Sequence, residues 1–155
     1  MKHAFLKWMA ASAVTALCLC QQAPDPWAAP DLMEPAALAK ILQASPGAAP
    51  KVICVAFPVL YRAKHIARSS FAGPGSKVEG IEDLKKAVAG IDKATEIVLY
   101  CGCCPMDRCP NIRPAFKALA DLGYKKVRVL NLATNTNADW SSKGYPVEAA
   151  SEAGK

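Results

Sequence analysis

Four of the seven cysteines in this 155-residue chain fall within nine positions. They sit in the run Cys101-Gly102-Cys103-Cys104-Pro105-Met106-Asp107-Arg108-Cys109-Pro110-Asn111-Ile112-Arg113. Thiols placed this way support three kinds of chemistry. A thiolate is a nucleophile, and a neighbouring thiol can attack the product it forms and exchange disulfides with it. Up to four thiolates, from Cys101, Cys103, Cys104 and Cys109 with Met106 as a thioether, also suit a soft ion such as Cu(I) or Zn(II). Structural bridges are the ordinary use of cysteine in an oxidising compartment. Cysteines this close together, however, close only small loops, which gain little from loop entropy. Chemistry is the better explanation. The adjacent pair Cys103-Cys104 and the two prolines make a closed tetrahedral metal site from one short loop awkward, which favours reactive thiols over ligands.

The flanking residues set which thiol is exposed to which field. Residues 95–100 read as a strand buried on both faces, because Ile97-Val98-Leu99-Tyr100 carries no polar alternation. Asn111 is a good N-cap for a helix through about residue 122, with Pro114 in its first turn and Gly123 at its end. Cys101 therefore leaves the carboxyl end of a strand and faces a helix N-terminus, whose free N–H groups and dipole favour a thiolate. Arg108 and Arg113 are the candidate anion-binding residues, since a guanidinium holds oxyanions by paired hydrogen bonds.

The remaining elements follow from periodicity. Residues 34–43, with Leu38, Ile41 and Leu42 in register and Pro35 in the first turn, predict a helix. Residues 51–57 predict a second buried strand, 58–66 a helical turn or loop, and 69–72 a brief strand before the Gly73-Pro74-Gly75 breaker. Residues 80–91 predict a helix on the spacing of Ile81, Leu84, Ala87, Val88 and Ile91. Residues 126–132 predict a third strand and 137–143 a last short helix. Strands alternating with helices give an α/β fold in three layers, a parallel sheet with helices on both faces. Ligands in such sheets lie beyond the carboxyl ends of the strands, where Cys101 stands.

The amino end has a different character. Lys2 and Lys7 precede an apolar run from Trp8 to Cys20 that is too short to span a membrane, and Pro24, Pro26 and Pro30 follow at once. This reads as a secretory signal peptide with a short linker over residues 1–29, and one domain over 30–155, in a periplasmic or secreted protein. Cleavage fits between Cys20 and Gln21, and neither Cys18 nor Cys20 sits in a good lipid-attachment box. After processing no membrane association is expected. The formal charge of +6 is spread along the chain rather than gathered into a basic run, and no aromatics interleave with arginines. A nucleic-acid partner is therefore not expected.

Other residues invite simpler readings. Cys54 belongs to a buried strand pattern and reads as a small core residue. His65 reads as a structural hydrogen-bonding residue, and Trp140 and Tyr145 as packing for the carboxyl-terminal segment. Ser69-Ser70 has no Asp or His partner at a recognisable spacing, which excludes a serine triad.

Several segments, in order, resemble the rhodanese-like family. Tyr61 with His65-Ile66-Ala67 is similar to the family's Tyr…Gly-His-Ile-Pro-Gly-Ala segment. Ile97-Val98-Leu99-Tyr100-Cys101 is similar to its strand ending in the active cysteine. Ala118-Leu119…Leu122-Gly123-Tyr124…Val127 and Trp140…Gly144-Tyr145-Pro146-Val147 resemble its later helix, strand and Trp…Gly-Tyr-Pro ending. The resemblance spans residues 35–147. It implies a sheet of about five strands and a sulfurtransferase in which Cys101 takes sulfane sulfur from a small donor such as thiosulfate, holds it as a persulfide, and passes it to a thiophilic acceptor. That acceptor could be a protein thiol. The resemblance implies no cofactor for sulfur transfer, with Cu(I) or Zn belonging only to the metal-binding alternative, and it gives Arg108 or Arg113 the anionic donor. In place of the family's short loop this chain has a longer one. Cys103, Cys104 and Cys109 have no counterpart there, and Cys54-Val55-Ala56 stands where an acidic residue is usual. Exported members with Cys-Gly-Cys-Cys-Pro…Cys-Pro-Asn are the nearer subgroup.

Overall fold

The computed structural model describes residues 24–44 and 46–149. The expected signal peptide lies, through residue 23, outside the described residues. Among these residues the chain runs β1 (Leu32–Met33), α1 (Pro35–Ala44), β2 (Lys51–Cys54), α2 (Pro58–Ala63), β3 (His65–Ile66), β4 (Ser70–Phe71) and α3 (Val78–Ala87). It continues through β5 (Ile97–Tyr100), α4 (Ile112–Asp121), β6 (Val127–Leu130), α5 (Thr136–Asp139) and β7 (Val147–Glu148).

The unalternating apolar runs form the middle of the sheet, as expected of strands covered on both faces. All four residues of β5 are buried, as are Val52, Ile53 and Cys54 of β2. Five strands pair in the order β1-β6-β5-β2-β4, every neighbour parallel. β5 is central, and Cys54 lies opposite Tyr100 across the β2–β5 pair. Parallel crossovers are right-handed. The chain steps one way along the sheet from β1 to β2 to β4 and the other way from β4 to β5 to β6, so α1 and α2 cover one face and α3 and α4 the other. α3 packs against α4, and α4 lies over β5 and β6. No helix among the described residues is long and apolar enough to cross a membrane.

Three expectations change. The helix predicted over 80–91 is α3, ending at Ala87 before Gly90 turns the chain with φ +80°. Ile91 keeps the apolar spacing without being helical, because it packs against the core and its carbonyl, like that of Val88, accepts the Tyr124 hydroxyl. Residues 58–66 are neither turn nor loop throughout: α2 is followed by β3, which pairs antiparallel with β7. The last helix starts one residue early at Thr136, where the Asn135 side chain accepts the Ala138 N–H at 2.9 Å, and it breaks at Trp140 into a 3₁₀ turn over Ser141–Lys143. Two residues upstream of 30 also touch the fold. Trp27 is buried with its ring edge-on to Phe116 at 5.6 Å, and the Asp25 carboxylate pairs with Arg113.

Candidate functional site

The chain leaves β5 toward β6 through α4 and leaves the adjacent β2 toward β4 through α2. Where neighbouring connections part in this way, the carboxyl ends of the strands open into a crevice. Here the crevice is a cleft of about 370 Å³. Tyr100, Cys101, Gly102 and Cys103 line it from β5 and its loop, Cys54 from β2, Leu60, Tyr61, Ala63 and Lys64 from α2 and its end, and Asn135, Thr136, Asn137 and Ser141 from the carboxyl-terminal helical turns. Lys64 is the one charged residue among these.

The loop is fixed at both ends. Gly102 adopts φ +78°, in the left-handed region that favours glycine. A Cβ there would also overlap the Thr136 hydroxyl, while the Thr136 N–H donates to the Gly102 carbonyl at 3.1 Å. This kink folds Cys103 back toward Cys101. Farther along, the Met106 N–H donates to the Leu132 carbonyl at 2.9 Å, tying the 3₁₀ turn Met106–Arg108 to the segment after β6.

The sulfurs gather at the strand end. Cys101 Sγ lies 3.2 Å from Cys103 Sγ, which lies 3.2 Å from Cys104 Sγ. The sulfurs of Cys101, Cys103 and Cys109 are all within 4.8 Å of one another. Cys101 and Cys109 are buried, Cys104 is half-buried and Cys103 is exposed. Cys109 is turned inward, and the backbone N–H groups of Asn111 and Ile112 point at its sulfur. Its thiol is nonetheless pushed far up, first by its hydrogen bond to Cys101 and then by burial. Loss of water also pushes Cys103 up, to about 11, and raises Cys104. These three are therefore thiols at neutral pH.

Asn111, expected as an N-cap, does not cap α4. Its backbone is helical and its side chain makes no capping bond. Instead the amide is completely buried, donating from Nδ2 to Cys101 Sγ at 3.3 Å and accepting the Ser76 N–H on Oδ1 at 3.0 Å. Cys109 takes over the first free N–H groups of the helix, which releases Asn111 for Cys101.

Neither arginine lines the cleft. Arg108 is largely exposed beside Asp107. The Arg113 guanidinium is spent on the Asp25 carboxylate and on the carbonyls of Asp107 and Cys109. Sequence reasoning missed Lys64, which reaches the cleft, and Asn111, which reaches the Cys101 sulfur, because tertiary structure alone brings them there. Cys54 is a core residue as expected, but it also forms part of the cleft wall. Its sulfur accepts the Ala56 N–H and bonds the Tyr100 hydroxyl, while burial pushes it up to about 11. His65 is structural, stacked on Tyr61 at 3.9 Å with Nδ1 against the Tyr61 carbonyl at 2.8 Å. Ser69 directs its hydroxyl to the Ile66 carbonyl and to Tyr100. Trp140 donates to the Pro146 carbonyl and packs edge-on to Tyr145, which fastens the carboxyl-terminal segment.

A buried sulfur with an amide donor, set beside an exposed thiol and open to a cleft with one cation, can act as a nucleophile toward a small anionic substrate. The cluster of Cys101, Cys103 and Cys109 could also hold a metal ion, since Zn–S bonds of about 2.3 Å separate tetrahedral thiolates by about 3.8 Å.

No protein-family model matches the chain, and no curated protein does. Solved structures do. A protein of Bacillus halodurans is similar with a TM-score of 0.59 at 20% identity, over 76% of this chain and 75% of that one. The rhodanese-like domain of an Anabaena protein is similar with a TM-score of 0.56 at 21% identity, over 81% and 86%. A protein of Lactobacillus plantarum is similar with a TM-score of 0.57 at 17% identity, over 77% and 88%. With Cys101 directly after the central β5 and five parallel strands in one sheet between helices, the chain has the rhodanese-like fold.

Proposed function

We propose that this chain is an exported sulfurtransferase-type domain that carries sulfane sulfur as a persulfide on Cys101. The observation that carries the reading is the placement of Cys101: buried, at the end of the central strand, with Asn111 donating to its sulfur and the cleft in front of it. The sulfur of Cys101 attacks the outer sulfur of thiosulfate, the S–S bond of the donor breaks, and sulfite leaves with the bonding pair. Lys64 attracts the anionic donor into the cleft. Asn111 holds the sulfur in line as its charge is used. A thiophilic acceptor, a small molecule or a protein thiol, then removes the sulfane sulfur, and no cofactor enters. Export to the periplasm or beyond is supported by the basic and apolar pattern of residues 2–20.

The test is sulfite release when the reduced protein meets thiosulfate. One equivalent per chain, lost in Cys101→Ser, is the expected result. Sulfite formed by Cys101→Ser at the wild-type rate overturns the reading.

The gathering of three sulfurs within 4.8 Å supports a second reading, a soft-metal binding protein using Cys101, Cys103 and Cys109, with Cys104 in reach of Cys103. Stoichiometric copper or zinc retained on desalting, and lost when Cys103 and Cys109 are both replaced by Ser, would establish it. Undiminished metal in that variant would exclude a shared site.

A further inference from the structure

Sulfur transfer through Cys101 alone leaves a second thiol unaccounted for. Cys103 Sγ stands 3.2 Å from Cys101 Sγ, closer than optimal carbon–carbon contact. The positive φ of Gly102 and its contact with Thr136 hold it there. Cys101 is buried, whereas Cys103 is exposed on the same cleft. A thiol that touches the carrier sulfur and also reaches solvent is placed to end the persulfide from within.

We propose that Cys103 is a resolving thiol that attacks Cys101 Sγ of the persulfide, closes a Cys101–Cys103 disulfide and expels the sulfane sulfur as sulfide. The proposal rests on the persulfide reading of Cys101. Cys101–S–SH and Cys103–SH give Cys101–S–S–Cys103 and H₂S. The persulfide S–S bond breaks, a new S–S bond forms, and the Cys103 proton leaves with the sulfide. The sulfane sulfur is reduced by two electrons, and the two cysteine sulfurs supply them. An external dithiol reductant returns the pair to the thiol form by exchange at the exposed Cys103 sulfur. Without it the reaction stops after one turnover.

The other loop thiols are placed less well. Cys104 meets Cys103 rather than Cys101. Cys109 is fully buried, with its sulfur turned to the N–H groups of Asn111 and Ile112, so a reductant could not reach a disulfide formed there.

The experiment uses the reduced protein mixed with thiosulfate and no other thiol, quenched by alkylation, with sulfite, sulfide and intact mass read together. Wild type should yield one equivalent each of sulfite and sulfide and lose two hydrogens, with peptide mass analysis placing the bridge between Cys101 and Cys103. Cys103→Ser should trap the sulfur, gaining one sulfur atom and releasing no sulfide. A wild-type protein that keeps the sulfur as stably as Cys103→Ser, or a bridge from Cys101 to Cys109, overturns the proposal. If neither protein releases sulfite, the persulfide reading itself fails, and that result differs from a retained sulfur.

Discussion

The fully buried Asn111 amide joins two separate parts of the site: Nδ2 donates to Cys101 Sγ at 3.3 Å while Oδ1 accepts the Ser76 N–H at 3.0 Å. One side chain thus couples the Cys101 sulfur to the loop that precedes α3. The bond to Cys101 is buried and the bond to Ser76 partly so, so breaking either leaves one end of the buried amide without a partner.

Asn111→Ala should therefore cost about 1–3 kcal/mol in stability, from two lost hydrogen bonds at about 0.5–1.5 kcal/mol each. It should also slow sulfite release by about ten- to a hundredfold, since a hydrogen bond to a charged sulfur contributes about 1.5–3 kcal/mol. Asn111→Asp should be as slow while recovering the Ser76 bond and much of the stability, because a carboxylate still accepts but no longer donates. Denaturation curves with single-turnover sulfite kinetics check both variants. Equal activity in Asn111→Asp and wild type would show that the Cys101 contact does not matter.

Gly102→Ala meets two obstacles at once. An L side chain at φ +78° is strained by about 1–2 kcal/mol, and its Cβ overlaps the Thr136 hydroxyl, an overpacking of the kind that costs about 1–3 kcal/mol. Thermal melting should show a loss of about 2–5 kcal/mol. Thr136→Gly in the same chain should recover the steric part but not the backbone part.

Charge in the cleft separates Lys64 from the two arginines. Lys64→Glu should raise the KM for thiosulfate by about three- to tenfold at low salt, an effect that fades above about 0.5 M salt as screening sets in. Arg108→Ala should leave KM unchanged, since its side chain is mostly in solvent. Arg113→Ala should instead lower the melting temperature, because it frees the Asp25 carboxylate and removes the cation beside Trp27. Steady-state kinetics across a salt series distinguishes these outcomes. A KM rise in Arg108→Ala matching that of Lys64→Glu would return the donor site to the arginine.

The contrast between Lys64 and the arginines marks what the sequence could and could not reveal. The position of Cys101 at a strand end was legible because strand, loop and helix N-terminus are contiguous, and the central strands were legible because burial on both faces suppresses alternation in residues 52–54 and 97–100; the expected strand over 51–57 stops at Cys54, and Phe57 is exposed. The strands β1, β3 and β7 were not, since a two-residue strand leaves no side-chain period; β4, equally short, was marked by the Gly73-Pro74-Gly75 breaker that follows it. Arg108 and Arg113 stand beside the cysteines in sequence, yet the Met106–Leu132 and Arg113–Asp25 contacts commit this part of the loop elsewhere. Asn111 looked like a cap because Asn before a helix usually is one. Only the inward turn of Cys109 shows why the cap was not needed.

Buried thiols make stability fall at high pH, and Cys54 provides the cleanest reading. Its thiol is 2% exposed and is pushed up from 9.0 to about 11, chiefly by burial. In the unfolded chain it ionises near its ordinary value, and in the folded chain only some two pH units higher. Between those values the unfolded state releases a proton that the folded state keeps, so the contribution is whole below about pH 9 and is lost as pH rises through about 11. The loss is on the order of 2–3 kcal/mol. The raised Cys103, Cys104 and Cys109 act in the same direction, so wild-type stability should decline steeply over this range. Cys54→Ala removes one titrating group, and its unfolding free energy should decline less steeply between pH 9 and 11 even if it starts lower at pH 8. Urea denaturation of both proteins at each pH measures the difference. Parallel curves would mean that the Cys54 thiol ionises alike in both states, and burial would then not be what governs it.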